Sequence, residues 1–249
     1  MSKNLLFSVL VLFSLVLITA CEPEFIPAST AEAEMDFVPI DSLTTWEYRM
    51  DSIIFDNEGL TIDTFVSYRQ EHLAGEFMDS EGKIVHRLII SKKVDWNDIY
   101  KETDLWTAQI NENGFQRKEE NLNFVKLIFP VVLGETWDGN QFPDTTKVYI
   151  AGEELEMYTN WKYAYDSRID SFSVRGELFN DVLRVFQADN TNAINRRYSV
   201  EYYAKGVGLI QRNMEILHTQ CTEPGCENIP WQQKAEKGFV LKQELINYY

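Results

Sequence analysis

The chain has 249 residues, with 23 Lys and Arg against 39 Asp and Glu, for a formal net charge of −16 at pH 7. Such an acidic surface repels phosphate backbones and anionic headgroups, which argues against nucleic acid as a partner. Fifteen Phe, twelve Tyr and six Trp, set among many Val and Ile, favour strands over helices. Residues 21–249 are enough to bury about 70–75% of their surface without covalent staples.

The N-terminus has the layout of a secretory signal. Lys3 precedes Leu5–Ala20, an apolar run without a charged residue and too short for a comfortable membrane span. Its last residues, Ile18-Thr19-Ala20-Cys21, resemble the lipobox of bacterial lipoproteins: aliphatic, small, small, cysteine. The resemblance implies cleavage before Cys21, diacylglycerol on its sulfur and acylation (palmitate-type) of the new amine. Three chains exceed the two-signal threshold for stable anchoring, each buried methylene contributing about 0.8 kcal/mol. The alternative is an ordinary signal peptide with a coincidental cysteine. On the lipoprotein reading, residues 1–20 are signal peptide, 21–43 an acylated cysteine with a flexible acidic stalk, and 44–249 a β-rich globular domain. The stalk expectation rests on Glu22, Glu24, Glu32, Glu34, Asp36 and three prolines without periodicity. Asp41-Ser42-Leu43, Asp51-Ser52-Ile53 and Asp144-Thr145-Thr146 resemble the three-residue O-glycosylation site of Bacteroidota.

From Thr44 the elements follow in order. Trp46, Tyr48 and Met50 alternate with charged residues as on a half-buried strand. Asp56–Gly59 signals a turn, Ile62–Phe77 a strand, and Ser80–Lys83 a hairpin turn into the strand Ile84–Ser91. Asp95–Trp106 reads as a short helix capped by Asp95, from the spacing of Trp96, Ile99, Tyr100 and Leu105. Asn111–Gly114 turns again, and Leu122–Phe129 is a strand stopped by Pro130. The polar, glycine-rich Gly134–Asn140 marks the middle of the domain, and Lys147–Ile150 is a short strand. Ser171–Val185 reads as two short strands divided near Asn180-Asp181, followed by a polar loop over Asp189–Asn195. Arg197–Tyr203 and Leu209–His218 are strands joined by a kink at Lys205–Gly208, where Gly206 and Gly208 clear one face for a bend or for close approach of another backbone. Pro230–Lys237 is one or two helical turns with Gly238 as the stop, and Phe239–Ile246 ends the chain as a strand.

An internal echo runs through the domain. Trp46-Glu47-Tyr48 followed by Asp51-Ser52 matches Trp161-Lys162-Tyr163 followed by Asp166-Ser167, and Ile62-Asp63-Thr64-Phe65 matches Ile169-Asp170-Ser171-Phe172. A duplication would give pseudo-repeats over 44–133 and 145–218. In the later half, Gly176–Leu183 and Tyr202-Tyr203-Ala204-Lys205-Gly206-Val207-Gly208-Leu209-Ile210, preceded by Phe129-Pro130 and Gly134–Trp137, resemble a pattern in β-rich exported lipoproteins of unknown function from Bacteroidota. That resemblance implies a curved antiparallel sheet or partial barrel, and no chemistry.

Catalytic motifs are mostly absent. There is no Gly-x-Ser-x-Gly elbow, no His-Glu-x-x-His and no phosphate-binding glycine loop. Cys221 and Cys226 bracket a Pro-Gly turn of type II, so an oxidising compartment favours a disulfide between them. The rival is a metal site of His218, Cys221 and Cys226, and Asp138, Asn140 and Asp144 offer a weak calcium alternative. His72, His86 and His218 are far apart in sequence. Trp161, Tyr163, Tyr165, Tyr202 and Tyr203 line a ligand groove on one reading and fill the core on the other.

The expectation is therefore a mainly β domain of antiparallel meanders forming a curved sheet, sandwich or partial barrel, with one or two short helices. It has no catalytic residues, metal or cofactor. It is held in the cell envelope, at the outer membrane, by a lipid on Cys21, and acts as a non-enzymatic binding or assembly component with an envelope protein partner. The alternatives are a carrier or sensor of an apolar ligand and, last, a glycan hydrolase acting through two acids.

Overall fold

A computed structural model describes residues 34–40, 44–56, 59–111, 114–120, 122–141, 147–150 and 152–249. Cys21, Asp41–Leu43 and Asp144–Thr146 lie outside the described residues. The first six strands form a meander: β1 (Thr45–Asp56), β2 (Thr61–Met78), β3 (Ile84–Lys93), β4 (Lys101–Asn111), β5 (Gly114–Glu119) and β6 (Leu122–Leu127). A two-residue strand β7 (Thr136–Trp137) and a hairpin of β8 (Lys147–Ile150) and β9 (Glu153–Glu156) follow. A second meander closes the chain: β10 (Tyr163–Val174), β11 (Glu177–Thr191), β12 (Asn195–Ala204), β13 (Gly208–His218) and β14 (Lys237–Tyr248). One helical turn, α1 (Trp231–Lys234), sits between the last two strands.

Twelve strands make one antiparallel sheet in the order β6-β5-β4-β3-β2-β1-β14-β13-β12-β11-β10-β7, and β8–β9 pair separately. The two meanders are joined by β1 and β14, from Trp46 beside Tyr248 to Phe55 beside Gly238. The sheet curls until its far strands meet across the interior. It does not close as a ladder, but residues 134–139, around β7, span the gap. Gly134 and Glu135 exchange backbone bonds with Tyr165 of β10, and Gly139 O accepts from Val125 N of β6. Trp137 Nε1 donates to Val125 O at 2.9 Å, and Ile128 N donates to the Tyr165 hydroxyl. Gly139 is open for this reason: a Cβ there would lie 2.5 Å from the Tyr163 ring.

Period-two patterning builds the inner face. Trp46 and Tyr48, Leu88 and Ile90, Trp106 and Ala108, and Ile210, Met214 and Ile216 all point into one core. The aromatics Trp161, Tyr163, Tyr165 and Tyr203 join it and are buried, so they form no open groove. Tyr202 stacks on Phe172, ring centroids 4.5 Å apart.

Several boundaries differ from the sequence reading. Asp95–Trp106 is not a helix. Asp95–Asp98 is a tight turn whose Asp95 carboxylate accepts from Asn97 N at 2.9 Å, and β4 follows. Trp106 and Ala108 alternate inward on β4, and the ladders offered by β3 and β5 outweigh the helical spacing of Trp96, Ile99 and Leu105, which stay exposed. The break expected at Asn180-Asp181 lies instead at Arg175-Gly176, both at positive φ. Gly206 lies in the β12–β13 hairpin turn and Gly208 is the first residue of β13, paired with Ala204, so neither is in a strand interior. Gly238 does not stop a helix; it is the second residue of β14, packed so tightly that a Cβ would lie 2.0 Å from Ile216 O. The echo motifs are spaced differently on the strands: Trp46 and Ile62 lie on β1 and β2, whereas Tyr163 and Ile169 both lie on β10.

The stalk expectation fails for residues 34–40, which dock on the body. Phe37, Val38 and Ile40 are buried. Glu34 accepts from Val131 N at 2.7 Å and lies 3.3 Å from Arg168, while Gly206 N donates to Asp36 O at 2.7 Å. The segment packs beside Gly208 of the hairpin: Pro39 Cδ is 3.5 Å from where a Gly208 Cβ would stand. An acidic, proline-containing composition hides three apolar side chains that fill the end of the curled sheet.

Candidate functional site

The strands run between two ends. Residues 34–40, the β12–β13 turn and the chain terminus share one, since Thr45 N donates to Tyr249 O there. The tip of β1–β2, the β3–β4 loop, β8–β9 and the β13–β14 loop share the other, where Phe55 pairs with Gly238 and His218 with Lys237. Between these ends lies a buried ionic network that the sequence reading did not find.

Its members come from five strands. Arg69 and Glu71 alternate on β2, Arg117 and Glu119 on β5; Lys126 lies on β6, Glu201 on β12 and Arg212 on β13. Glu71 lies 3.0 Å from Arg69 and 2.7 Å from Arg117. Glu119 takes Arg117 at 3.3 Å, Lys126 at 3.2 Å and Arg212 at 3.1 Å. Glu201 takes Arg212 at 2.6 Å and Lys126 at 3.2 Å, and accepts the Tyr203 hydroxyl at 2.6 Å. Arg69 also donates to Gln243 Oε1 at 2.6 Å. The Arg69 and Arg117 guanidinium carbons lie 5.2 and 5.0 Å from the Trp106 ring centroid.

Burial sets the electrostatics. It would raise the Glu201 carboxyl, but Arg212 and then Lys126 outweigh it and hold the group at about 2. Burial acts likewise on Glu119, and Arg212, Lys126 and Arg117 together hold it well below the ordinary carboxylate range. Burial would lower Arg117, but Glu71 and Glu119 raise it. Arg69 behaves differently: burial lowers it, and Glu71 offsets this only in part, against repulsion from Arg212 and Arg117. Removing several charges from water costs several kcal/mol each, so such a network holds only where the partners are satisfied.

Two cavities flank it. A small one of about 30 Å³ lies under Phe37–Ile40 and is floored by Glu71 and Arg117. A larger one of about 460 Å³ opens at the other end between Arg69, Trp106 and Glu119 on one side and Met214, Phe239 and Leu241 on another. The β8–β9 hairpin roofs it with Val148 and Ile150. That hairpin is held by Leu155, which is buried, by Arg197 Nε donating to Glu156 O at 2.8 Å and by Lys237 Nζ donating to Glu154 O at 3.2 Å.

Cys221 and Cys226 stand at disulfide distance, Cα–Cα 5.8 Å, in the loop beside this mouth. The turn between them has Cys226 N donating to Glu223 O and Gly225 at φ 101°, as type II requires. The two cysteines therefore face each other, and His218 turns to Asn195 Oδ1 at 3.2 Å. Among the described residues, no three of His, Cys, Asp and Glu cluster to hold a metal ion. His72 meets Thr45 Oγ1 at 2.8 Å, and His86 is half-buried on β3. No helix among the described residues is long and apolar enough to cross a membrane.

The ionic network had a sequence signal: Arg69-x-Glu71 and Arg117-x-Glu119 fall at the parity of the apolar core residues on their strands. β5 itself went unassigned between the turn at Asn111–Gly114 and the strand at Leu122. Against known proteins, the chain matches no family model, no curated protein and no solved structure.

Proposed function

We propose that this chain is an envelope lipoprotein, tethered through Cys21, that acts as a non-enzymatic binding component, with the cavity under the β8–β9 hairpin as its recognition site. The observation that carries this reading is the arrangement of the two ends. One end is filled by Phe37–Ile40, and the other opens as a cavity of about 460 Å³ within the size range of ligand pockets. A tether at Cys21 would join the filled end through residues 22–33, a reach of at most about 43 Å at 3.3–3.6 Å per residue. The open mouth would then face away from the outer membrane, toward envelope partners.

The filled interior weighs against a deep apolar carrier. Beyond the mouth, aromatic side chains and the ionic network occupy the interior that a long lipid tail would need. The buried carboxylates Glu119 and Glu201 are held deprotonated, which suits bracing and does not supply the protonated acid of a glycosidase pair.

The test is site-specific photo-cross-linking in intact envelopes. A photoreactive residue replaces Tyr149 on β8 or Met78 at the filled end, both 71% exposed. A discrete adduct at position 149 that is missing at 78 supports the reading. Equal adducts at both positions, or adducts at 78 alone, overturn it.

A further inference from the structure

We infer that the open mouth takes a small amphiphile with a carboxylate head, the head on Arg69 and Trp106 and the tail along Met214, Phe239 and Leu241. This deepens the reading above and rests on it.

The first argument is charge balance. Among the described residues, the buried network holds four cations, Arg69, Arg117, Lys126 and Arg212, against three carboxylates, Glu71, Glu119 and Glu201. Arg212 and Lys126 each lie between two carboxylates, Glu119 and Glu201. Arg117 lies between Glu71 and Glu119. Arg69 has one, Glu71, which it shares with Arg117, and otherwise the neutral Gln243. The excess positive charge therefore falls on Arg69, and Arg69 lines the open cavity. An uncompensated buried charge is strongly destabilising, so an anion delivered there would gain what the fold leaves unmet.

The second argument is a donor without an acceptor. Trp106 is 4% exposed and lines the same cavity, yet its indole Nε1 has no hydrogen-bond partner among the described residues. Trp106 Nε1 thus lacks an acceptor oxygen, and Arg69, which reaches Gln243 Oε1 and Glu71, lacks a carboxylate of its own. A carboxylate offers two acceptor oxygens in the plane that a guanidinium matches. A dianionic phosphate fits less well, since the excess is one charge and Glu119 and Glu120 line the same cavity.

The third is shape and polarity. Apart from Arg69, Glu119, Glu120 and two lysines, the walls are thioether, aliphatic and aromatic, a lining for a short alkyl or isoprenoid-like tail rather than a sugar. At the rim, Lys92 lies on Asp104 and Lys147 on Glu154, so these cations already have partners.

The test titrates the purified full chain with decanoate and with decanol by calorimetry. Decanoate should bind at one site, about tenfold or more tighter than decanol, the value of one hydrogen bond to a charged group. Arg69→Gln should bring decanoate down to the decanol affinity and leave decanol unchanged. Met214→Trp, which fills the apolar wall, should weaken both. Equal binding of the two by the wild type, full decanoate affinity in Arg69→Gln, or tighter binding of decyl phosphate than of decanoate overturns the inference. Should Arg69→Gln fail to fold, the wild-type preference and Met214→Trp decide alone. An absence of decanoate binding alongside a discrete protein adduct at position 149 overturns this inference and leaves the mouth as a protein-recognition site.

Discussion

Arg212 of β13 lies 3.1 Å from Glu119 of β5, although five strands separate them in the sheet. The contact exists because the sheet curls back on itself, and it makes the interior a cross-brace rather than a void. Arg212→Met should cost about 3–5 kcal/mol, because it leaves Glu201 with Lys126 alone, a cation that it must share with Glu119. Arg69→Gln removes the surplus cation and should cost less than about 1 kcal/mol or stabilise. Urea unfolding of both variants tests the contrast; equal losses would contradict the assignment of the excess charge to Arg69.

The same network fixes the acid response. Glu201 is held at about 2 in the folded chain against an ordinary 4.5. A carboxylate depressed in this way lends stability that is fully present above its unfolded value and lost as pH falls through the folded one. Stability should therefore drop between about pH 4.5 and pH 2, with Glu119 acting in the same direction. Glu201→Gln should lower stability at neutral pH and flatten that acid slope in denaturant midpoints measured against pH.

The docked N-terminal segment should respond to one side chain. Phe37 is fully buried and Arg168 lies 5.5 Å over its ring. Phe37→Ala loses up to about 3–5 kcal/mol of packing, enough to release Glu34–Ile40 while the strands stay folded. Hydrogen exchange reads this directly: the Gly206 amide, bonded to Asp36 O at 2.7 Å, should exchange faster, and strand amides such as Met214 should not.

The cysteine pair should be oxidised in protein isolated without reductant. The unreduced, denatured chain should show no reactive thiol from Cys221 or Cys226. Replacing both by Ser should cost about 2 kcal/mol, the chain-entropy value for so short a loop. Two free thiols would refute the bridge.

The tether has its own test. Cys21→Ala should release the protein from envelope membranes after a carbonate wash. Persistence in the membrane fraction would refute lipidation at Cys21.

The β class and many strands were legible in the sequence because alternation is local. Leu209–His218 and Lys147–Ile150 are bounded by turn residues, and their side chains alternate across the sheet whatever lies beyond. The Pro-Gly turn was equally local, since φ at Gly225 depends on that residue alone. Misplacements arose where local signals competed. Trp96, Ile99 and Leu105 have helical spacing, while Trp106 and Ala108 have strand spacing, and only the neighbouring strands chose between them.

What the sequence determined by itself was the strand-rich body, its acidic exterior and the turn that pairs Cys221 with Cys226, each set by residues within a few positions of one another. Only the tertiary structure decided that Phe37 is a plug rather than part of a stalk, that Arg69 and Glu201 belong to one network, and that a cavity opens between β4, β5 and β14. Those relationships join residues tens to more than a hundred positions apart. They depend on how far a twelve-stranded sheet curls, a quantity that bulges, twist and packing set together and that no short stretch of sequence encodes.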